Sequence, residues 1–404
     1  MTGEEIFLHH AFGVTPKALK TVVSNTHIQT TGENFMKKSL IAAALLGTFA
    51  ASAFAAPSVT LYGRLDTSLA YTHLDKDKAG VDSTDTVSME SGFSTGNRWG
   101  LKGTEDIGNA KVGFVLESGF NSDDGASSDK ESRLFGREAQ VNVSGAYGTL
   151  YAGRFASIAS DSGSIGYLTD VSAFPNGFGV VGTQKGSTGS AYARYDNALA
   201  YQTPTFGGLQ AAAMYSFKAN SQTDKTSREN SSFADRYAAA GLRYKAGKAA
   251  VVLAGDYTLY SNSNATYKNL DNGYSVILGG NYDFGVAKVF AKATYFDNQA
   301  SALDSFDLIK DSKAAGVEGW GVELSTAVPA FGGAFLGTVG YRDAKDVDNS
   351  SNKFKRWNAA VGYSYAFSKR TSVYAAAGYA QEKANNLDRK ANAAQAGFGL
   401  VHKF

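Results

Sequence analysis

The chain is 404 residues long, with a formal net charge of +2, 19% charged and 12% aromatic residues, 45 Gly, 5 Pro and no Cys. The lack of Cys excludes a disulfide framework and thiolate metal sites, and so small a net charge points to no partner, leaving electrostatic function to local arrangement. Abundant Gly, Tyr and Phe with little Pro suit many strands joined by tight turns better than a helical enzyme.

Taken in chain order, the first feature is a processing signal. Lys37 and Lys38 precede an apolar run from Leu40 to Ala50, and Ala53 and Ala55 form an A-x-A site. Residues 36–55 therefore read as a secretory signal cleaved after Ala55, since the run is too short to span a membrane. Residues 1–35, which hold His9, His10 and His27, precede a complete signal and read as a start-site artefact or leader extension. Residues 56–404 form the barrel domain described next.

From Ala56 onward a period of two dominates. Leu61, Leu65, Leu69 and Tyr71 oppose Tyr62, Arg64, Asp66 and Ser68; Tyr274, Val276, Leu278 and Tyr282 oppose Ser275, Gly279, Asn281 and Asp283. Trp357, Ala359, Val361, Tyr363, Tyr365 and Phe367 oppose Arg356, Asn358, Gly362 and Ser364. The chain ends in the same way, with Ala396, Phe398, Leu400 and Phe404 on one parity, although Val401 and His402 depart from it. About 16 such segments of roughly 9–13 residues are expected, the length of a tilted strand crossing a hydrocarbon layer.

The connections alternate in character. Short ones fall near 105–109, 145–148, 205–208, 245–248, 283–285, 330–333 and 368–370. Longer polar ones fall near 74–90, 121–132, 156–191, 219–233, 261–271, 298–316, 344–354 and 381–392. Short turns on one rim and long loops on the other predict an all-β fold, an antiparallel up-and-down barrel in an outer membrane. Closure explains a chain that stops inside a strand, because the last strand pairs with the first. Its apolar face meets lipid, with Phe404 in the aromatic belt at the rim. The second face carries Arg, Asp, Asn, Ser and Gly, which could not fill the dry interior of a soluble sandwich or lectin.

"SVTLYGRLD" (58–66), "NRWGLKGTEDIGN" (97–109), "FGREAQVNVSGAYGTLYAGRF" (135–155) and the terminal "GLVHKF" resemble the Gram-negative general porins, in particular those of β-proteobacteria and Neisseria. The resemblance covers residues 56–404. It implies a 16-stranded barrel, a homotrimer, and passive diffusion of ions and small hydrophilic solutes through a pore narrowed by the third long loop. It also implies that the terminal strand with Phe404 is read by the outer-membrane assembly machinery. Outer-membrane lipid and permeating solutes are the other expected partners; nucleic acid is not one.

The constriction loop spans about 156–191 and is expected to fold inward. Parity places Arg64, Arg98, Lys102 and Arg194 on the lumen side, and the resemblance puts Arg98, Arg137 and Arg194 in a basic constriction cluster. Arg137 shares the parity of Val141 and Val143, so a lumen orientation would require a bulge. Asp161 and Asp170 are the expected acidic counterpart. Over the whole lumen face, about 11 basic positions, including Lys111, Arg243, Lys245, Lys288, Lys292, Arg342 and Arg356, face about 7 acidic ones (Asp66, Glu117, Glu138, Asp196, Asp256, Asp283 and Glu323). Charge fixed in a narrow aqueous pore selects ions, so mild anion preference is expected.

Arg154 shares the outward parity of Leu150 and Ala152, where a charge facing lipid is costly. An acidic partner on a neighbouring subunit is expected, from a loop such as that of Asp123, Asp124, Asp129 and Glu131, which makes Arg154 a candidate trimer contact. An enzyme is not expected. His73 and His402, the histidines of the barrel region, are isolated and have no triad or metal-ligand setting. No cofactor is expected. A substrate-specific sugar or phosphate channel shares this fold and would need an aromatic slide or a tight site, where the sequence offers dispersed Tyr.

Overall fold

The computed structural model describes residues 58–129, 131–174, 177–179, 193–262, 270–299 and 306–404. The signal-peptide and leader readings, and part of the constriction loop, lie outside these residues.

Seventeen strand segments form one antiparallel sheet. They are β1 (Ser58–Asp75), β2 (Thr84–Ser91), β3 (Arg98–Asp106), β4 (Lys111–Gly119), β5 (Glu138–Gly145) and β6 (Gly148–Ala156). After the constriction loop come β7 (Arg194–Gln202), β8 (Leu209–Ser216), β9 (Arg236–Ala246), β10 (Ala249–Leu259), β11 (Gly273–Asp283) and β12 (Lys288–Gln299). The last are β13 (Val317–Ala330), β14 (Gly333–Asp346), β15 (Lys353–Ala366), β16 (Thr371–Ala384) and β17 (Arg389–Lys403). Apart from β2 and β3, each pairs with its sequence neighbour, and β1 closes the ring on β17 from Arg64↔Lys403 to Asp75↔Asn392. Both β2 and β3 pair with β1, at Thr67–Leu74 and Ser58–Arg64, so they share one place in the ring. The architecture is thus the expected 16-strand barrel, with one strand interrupted at Gly92–Asn97.

The two faces follow the predicted alternation. Leu61, Val361 and Phe398 are 60%, 65% and 62% exposed on the outside, whereas Asp66 and Arg342 are 0% exposed on the inside. Phe206, Phe284, Phe331 and Phe367, all in short turns, are also exposed, which suits an aromatic girdle at one interface. No helix among the described residues is long and apolar enough to cross a membrane. The terminus is bonded as expected: the Gly63 and Phe404 backbones exchange N–H···O bonds of 3.0 and 3.1 Å. A Cβ at Gly63 would lie 2.2 Å from Phe404 Cζ, so this position needs the missing side chain.

Two loops expected to be long are short. β14, β15 and β16 run to 14 residues and β17 to 15, leaving tight connections at 347–352 and 385–388. Gln381, Glu382 and Asn392 therefore belong to strands. The loop between β12 and β13 departs further from expectation. Its residues Phe306, Leu308 and Ile309 are buried against Phe296, Val317, Ala344, Phe354, Ala380 and Ala393 on the inner wall. A short helix, α1 (Leu308–Asp311), carries two of them. Inward-facing Ala on these strands leaves the space that the loop fills.

Candidate pore constriction

The third long loop leaves β6 at Ala156 and turns into the barrel. Ile158, Ile165, Tyr167, Leu168 and Val171 pack on an inner wall of small residues, among them Ala198, Ala212, Ala239 and Ala254, with Tyr237, Val252 and Ile277. Alternating Ala on the lumen parity of β7–β10 creates that seat, and burial of these apolar side chains holds the loop against water. The loop then crosses to β13, where the Ala173 N–H donates to Ser325 Oγ at 2.9 Å and Ser172 Oγ bonds Glu323. Its tip reaches β16 and the interruption between β2 and β3. There Phe178 packs against Phe93, Phe174 and Tyr374, with ring centroids at 5.9, 5.2 and 5.6 Å. The Phe178 N–H donates to the Phe93 carbonyl. The Gly177 backbone comes so close that a Cβ would lie 1.9 Å from the Ser94 carbonyl oxygen. The expected inward fold is therefore seen in the described part of the loop.

The basic side chains gather on the wall that the loop leaves open. Arg64 Nη1 donates to Thr95 Oγ1 at 2.5 Å, and Arg98 donates to the Gly96 carbonyl at 3.1 Å and to Thr95 Oγ1 at 3.4 Å. Arg137 Nε donates to Glu117 Oε1 at 2.6 Å, and Arg98 Nη1 lies 3.9 Å from the same oxygen. Tyr62 donates to the other oxygen at 3.0 Å. Arg194 lies within repulsive reach of Arg98, Arg137 and Arg154 and is drawn to Glu117 and Glu138. No bulge is needed to bring in Arg137. It sits one residue before β5, outside the alternation that had placed it with Val141. Lys102 stands apart, four residues along β3 toward the short turns, with Nζ 5.1 Å from the Tyr62 ring centre.

The acidic side differs from expectation. Asp170 is turned away from the arginines: Lys245 Nζ lies 2.6 Å from its carboxylate, and Asn281 Nδ2 donates to its carbonyl at 2.7 Å. Its charge is neutralised on the far wall. Asp161 stays on the first limb of the loop, three residues before Ser164, whose N–H and hydroxyl donate to Glu138 at 2.6 and 2.5 Å. Glu117 and Glu138 stand among the arginines, and Asp66 lies within electrostatic reach of Arg64. Asp66 is sealed behind the strand interruption, where it accepts from the Ser94 and Thr95 N–H groups at 2.9 and 2.7 Å and from Tyr374 at 2.7 Å.

Arg154 does leave the barrel on the outer side, but its partners lie in its own chain. It donates to Asp196 Oδ1 at 2.6 Å and to the Gly136 carbonyl at 2.8 Å, with Asp129 at 3.8 Å. Arg133 joins the cluster through Asp196 at 3.0 Å. These carboxylates offset the Arg154 charge from within the chain. Asp196, counted as a lumen residue, belongs to this outer cluster because Asn197 adopts a left-handed backbone (φ 48°) and the β6–β7 register shifts there.

Of a second charged group, the sequence placed the two cations on the lumen face but left Glu382 in an expected loop. Arg342, Arg356 and Glu382 are fully buried in the lumen wall, with Arg342 Nη2 2.5 Å and Arg356 Nη1 3.6 Å from the carboxylate. The loop carrying α1 covers them, its Phe306 ring 5.1 Å from the Arg356 guanidinium. Three cations, two from the β1–β2 connection and one at the start of β17, fasten that loop: Lys76 to Asp307 at 2.5 Å, and Lys78 and Arg389 to Asp311 at 2.9 and 2.5 Å. Among the described residues no cluster of His, Asp and Glu could hold a metal ion.

A family model described as Gram-negative porin matches residues 42–385. An outer membrane porin protein of Bordetella pertussis is 36% identical over 91% of this chain and 100% of its own length. Among solved structures, an anion-selective porin from Comamonas acidovorans superposes with TM-score 0.59 at 24% identity, covering 86% of this chain and 100% of its own. The trimer form of OmpT from Vibrio cholerae superposes with TM-score 0.58 at 15% identity, covering 86% of this chain and 99% of its own. A closed barrel with a charged aqueous lumen, an inward loop and relatives of this kind places the chain in the Gram-negative porin family, the outer-membrane channels for passive diffusion of ions and small hydrophilic solutes.

Proposed function

We propose that this porin is a general diffusion channel with a mild preference for anions, set by Arg64, Arg98, Arg137 and Arg194, with Lys102 extending the positive wall toward the short-turn rim. The observation that carries this reading is the gathering of Arg64, Arg98 and Arg137 around Thr95 and Glu117, with Arg194 within electrostatic reach of them. The withdrawal of Asp170 onto Lys245 keeps its charge away from them. Charge fixed along a narrow aqueous path concentrates counter-ions and repels co-ions. The anion-selective character of the Comamonas acidovorans relative supports the same direction.

The test is the reversal potential of the reconstituted channel in a KCl gradient. The reading expects a sign that reports chloride preference, and expects that preference to shrink stepwise in Arg98→Gln and Arg194→Gln. A potential reporting potassium preference in the parent channel refutes it. A homotrimer is proposed alongside, in keeping with the trimeric OmpT relative, as is recognition of the Phe404 strand by the assembly machinery. Arg154 has carboxylate partners in its own chain, Asp196 and Asp129, so its charge does not by itself call for a neighbouring subunit.

A further inference from the structure

The interruption Gly92–Asn97 touches both sides of the pore. On one side its Phe93 and Ser94 receive the tip of the constriction loop, through the Phe93–Phe178 rings, the Phe178 N–H bond to the Phe93 carbonyl and the close approach of Gly177 to Ser94. On the other side Thr95 Oγ1 accepts from Arg64 at 2.5 Å and from Arg98 at 3.4 Å, and the Gly96 carbonyl accepts from Arg98 at 3.1 Å. The segment is itself fixed from beneath. Asp66 takes the Ser94 and Thr95 N–H groups, the Asp66 N–H donates to Asn97 Oδ1, and Asn97 Nδ2 donates to Ser91 Oγ at 2.8 Å. Tyr374, which stacks on Phe93 at 6.3 Å, also donates to Asp66.

We infer that Gly92–Asn97 is a hub that sets the loop tip and the arginine pair together, and that Thr95 is a positioning residue for ion selectivity although it carries no charge. The reasoning is geometric. Arg64 and Arg98 have long, flexible stems, and a guanidinium contributes to selectivity according to where it stands in the pore. One hydroxyl oxygen holds both, and its position follows the backbone on which Phe93 also sits. A displacement of the loop tip therefore moves the arginines, and removal of the hydroxyl frees Arg64 from Thr95 and loosens Arg98, which keeps the Gly96 carbonyl, without changing the pore's charge. The sense in which selectivity depends on them rests on the anion-preference reading above; the coupling does not.

The experiment uses the full mature barrel in planar bilayers, with parent and variants recorded in the same KCl gradient. Thr95→Val keeps shape and charge and removes the acceptor; it is expected to shift the anion-to-cation permeability ratio away from the parent value, because the fixed charge of Arg64 leaves its place in the pore. Thr95→Ser restores the oxygen and is expected to restore the parent ratio. Phe93→Ala, which touches neither arginine, is expected to raise open-channel noise and also to shift the ratio. If Thr95→Val does not assemble, Thr95→Ala removes the same oxygen and is read in its place. A parent ratio retained without the hydroxyl overturns the inference, as does extra noise in Phe93→Ala with an unchanged ratio. A cation-preferring parent overturns the anion reading alone, since the shift on losing Thr95 Oγ1 still decides the hub.

Discussion

Phe178→Ala offers the sharpest mechanical test of the constriction. Phe178 is 4% exposed and stands at the centre of the aromatic contacts that fasten the loop tip to β16 and the strand interruption. Removing a buried Phe ring costs ~3–5 kcal/mol, and the lower end applies here because a tip facing an aqueous lumen can relax. At about 1.4 kcal/mol per tenfold, a loss of ~3 kcal/mol multiplies the undocked population roughly a hundredfold. The first limb, seated on β7–β11 by Ile158, Ile165 and Leu168, stays in place, so the barrel still assembles and the change is confined to the tip. Single-channel recording at fixed voltage reads this as open-state flicker with excursions to higher conductance. A trace with the parent's noise and mean conductance would refute the claim that the aromatic contacts hold the constriction.

Glu382→Ala leaves Arg342 and Arg356 buried without their shared carboxylate and is expected to destabilise the barrel by about 3–5 kcal/mol, read as a lower temperature for the heat-induced gel-mobility shift. Lys78 and Arg389 hold the Asp311 carboxyl below its ordinary range. The stabilisation it gives the α1 loop is thus complete above the unfolded value, about 4, and is lost as pH falls through the lower folded value. Protease cleavage of that loop should stay slow at neutral pH and rise in strong acid, and Asp311→Asn should bring the acid behaviour to neutral pH; pH-independent cleavage would contradict the ionic fastening. Gly63→Ala drives a Cβ into the Phe404 ring and should lower the yield of assembled barrel in membranes, whereas a normal yield would show that the terminal ring can move aside. Arg154→Ala should leave the oligomer's heat stability intact while loosening the loop that carries Asp129 and Arg133, measured as faster proteolysis there.

Much of this was legible in the sequence because a porin wall has solvents of opposite kind on its two faces. Leu61, Leu65 and Leu69 against Arg64, Asp66 and Ser68 is a contrast that nothing but lipid outside and water inside explains. The same contrast fails where the lumen face is polar enough to resemble a loop. Gln381, Glu382 and Asn392 extended the apparent connection and hid two strand ends and a buried ion cluster. Alternation also loses its hold at irregularities. Asn197 shifts Asp196 to the outside, and Arg137, just ahead of β5, is free to turn inward. The inward course of the α1 loop had one available signal, Phe306, Leu308 and Ile309 in an otherwise polar connection. Their destination could not be read, because it depends on Ala residues of strands distant in sequence.

The central claim is that the folded barrel encloses a continuous water-filled path between its inward loops. Single-channel conductance of the refolded mature chain in a planar bilayer tests it most directly. The account predicts stepwise increases in current, nearly proportional to voltage and salt concentration. A barrel that inserts and resists heat as a folded porin, yet passes no current, would contradict it.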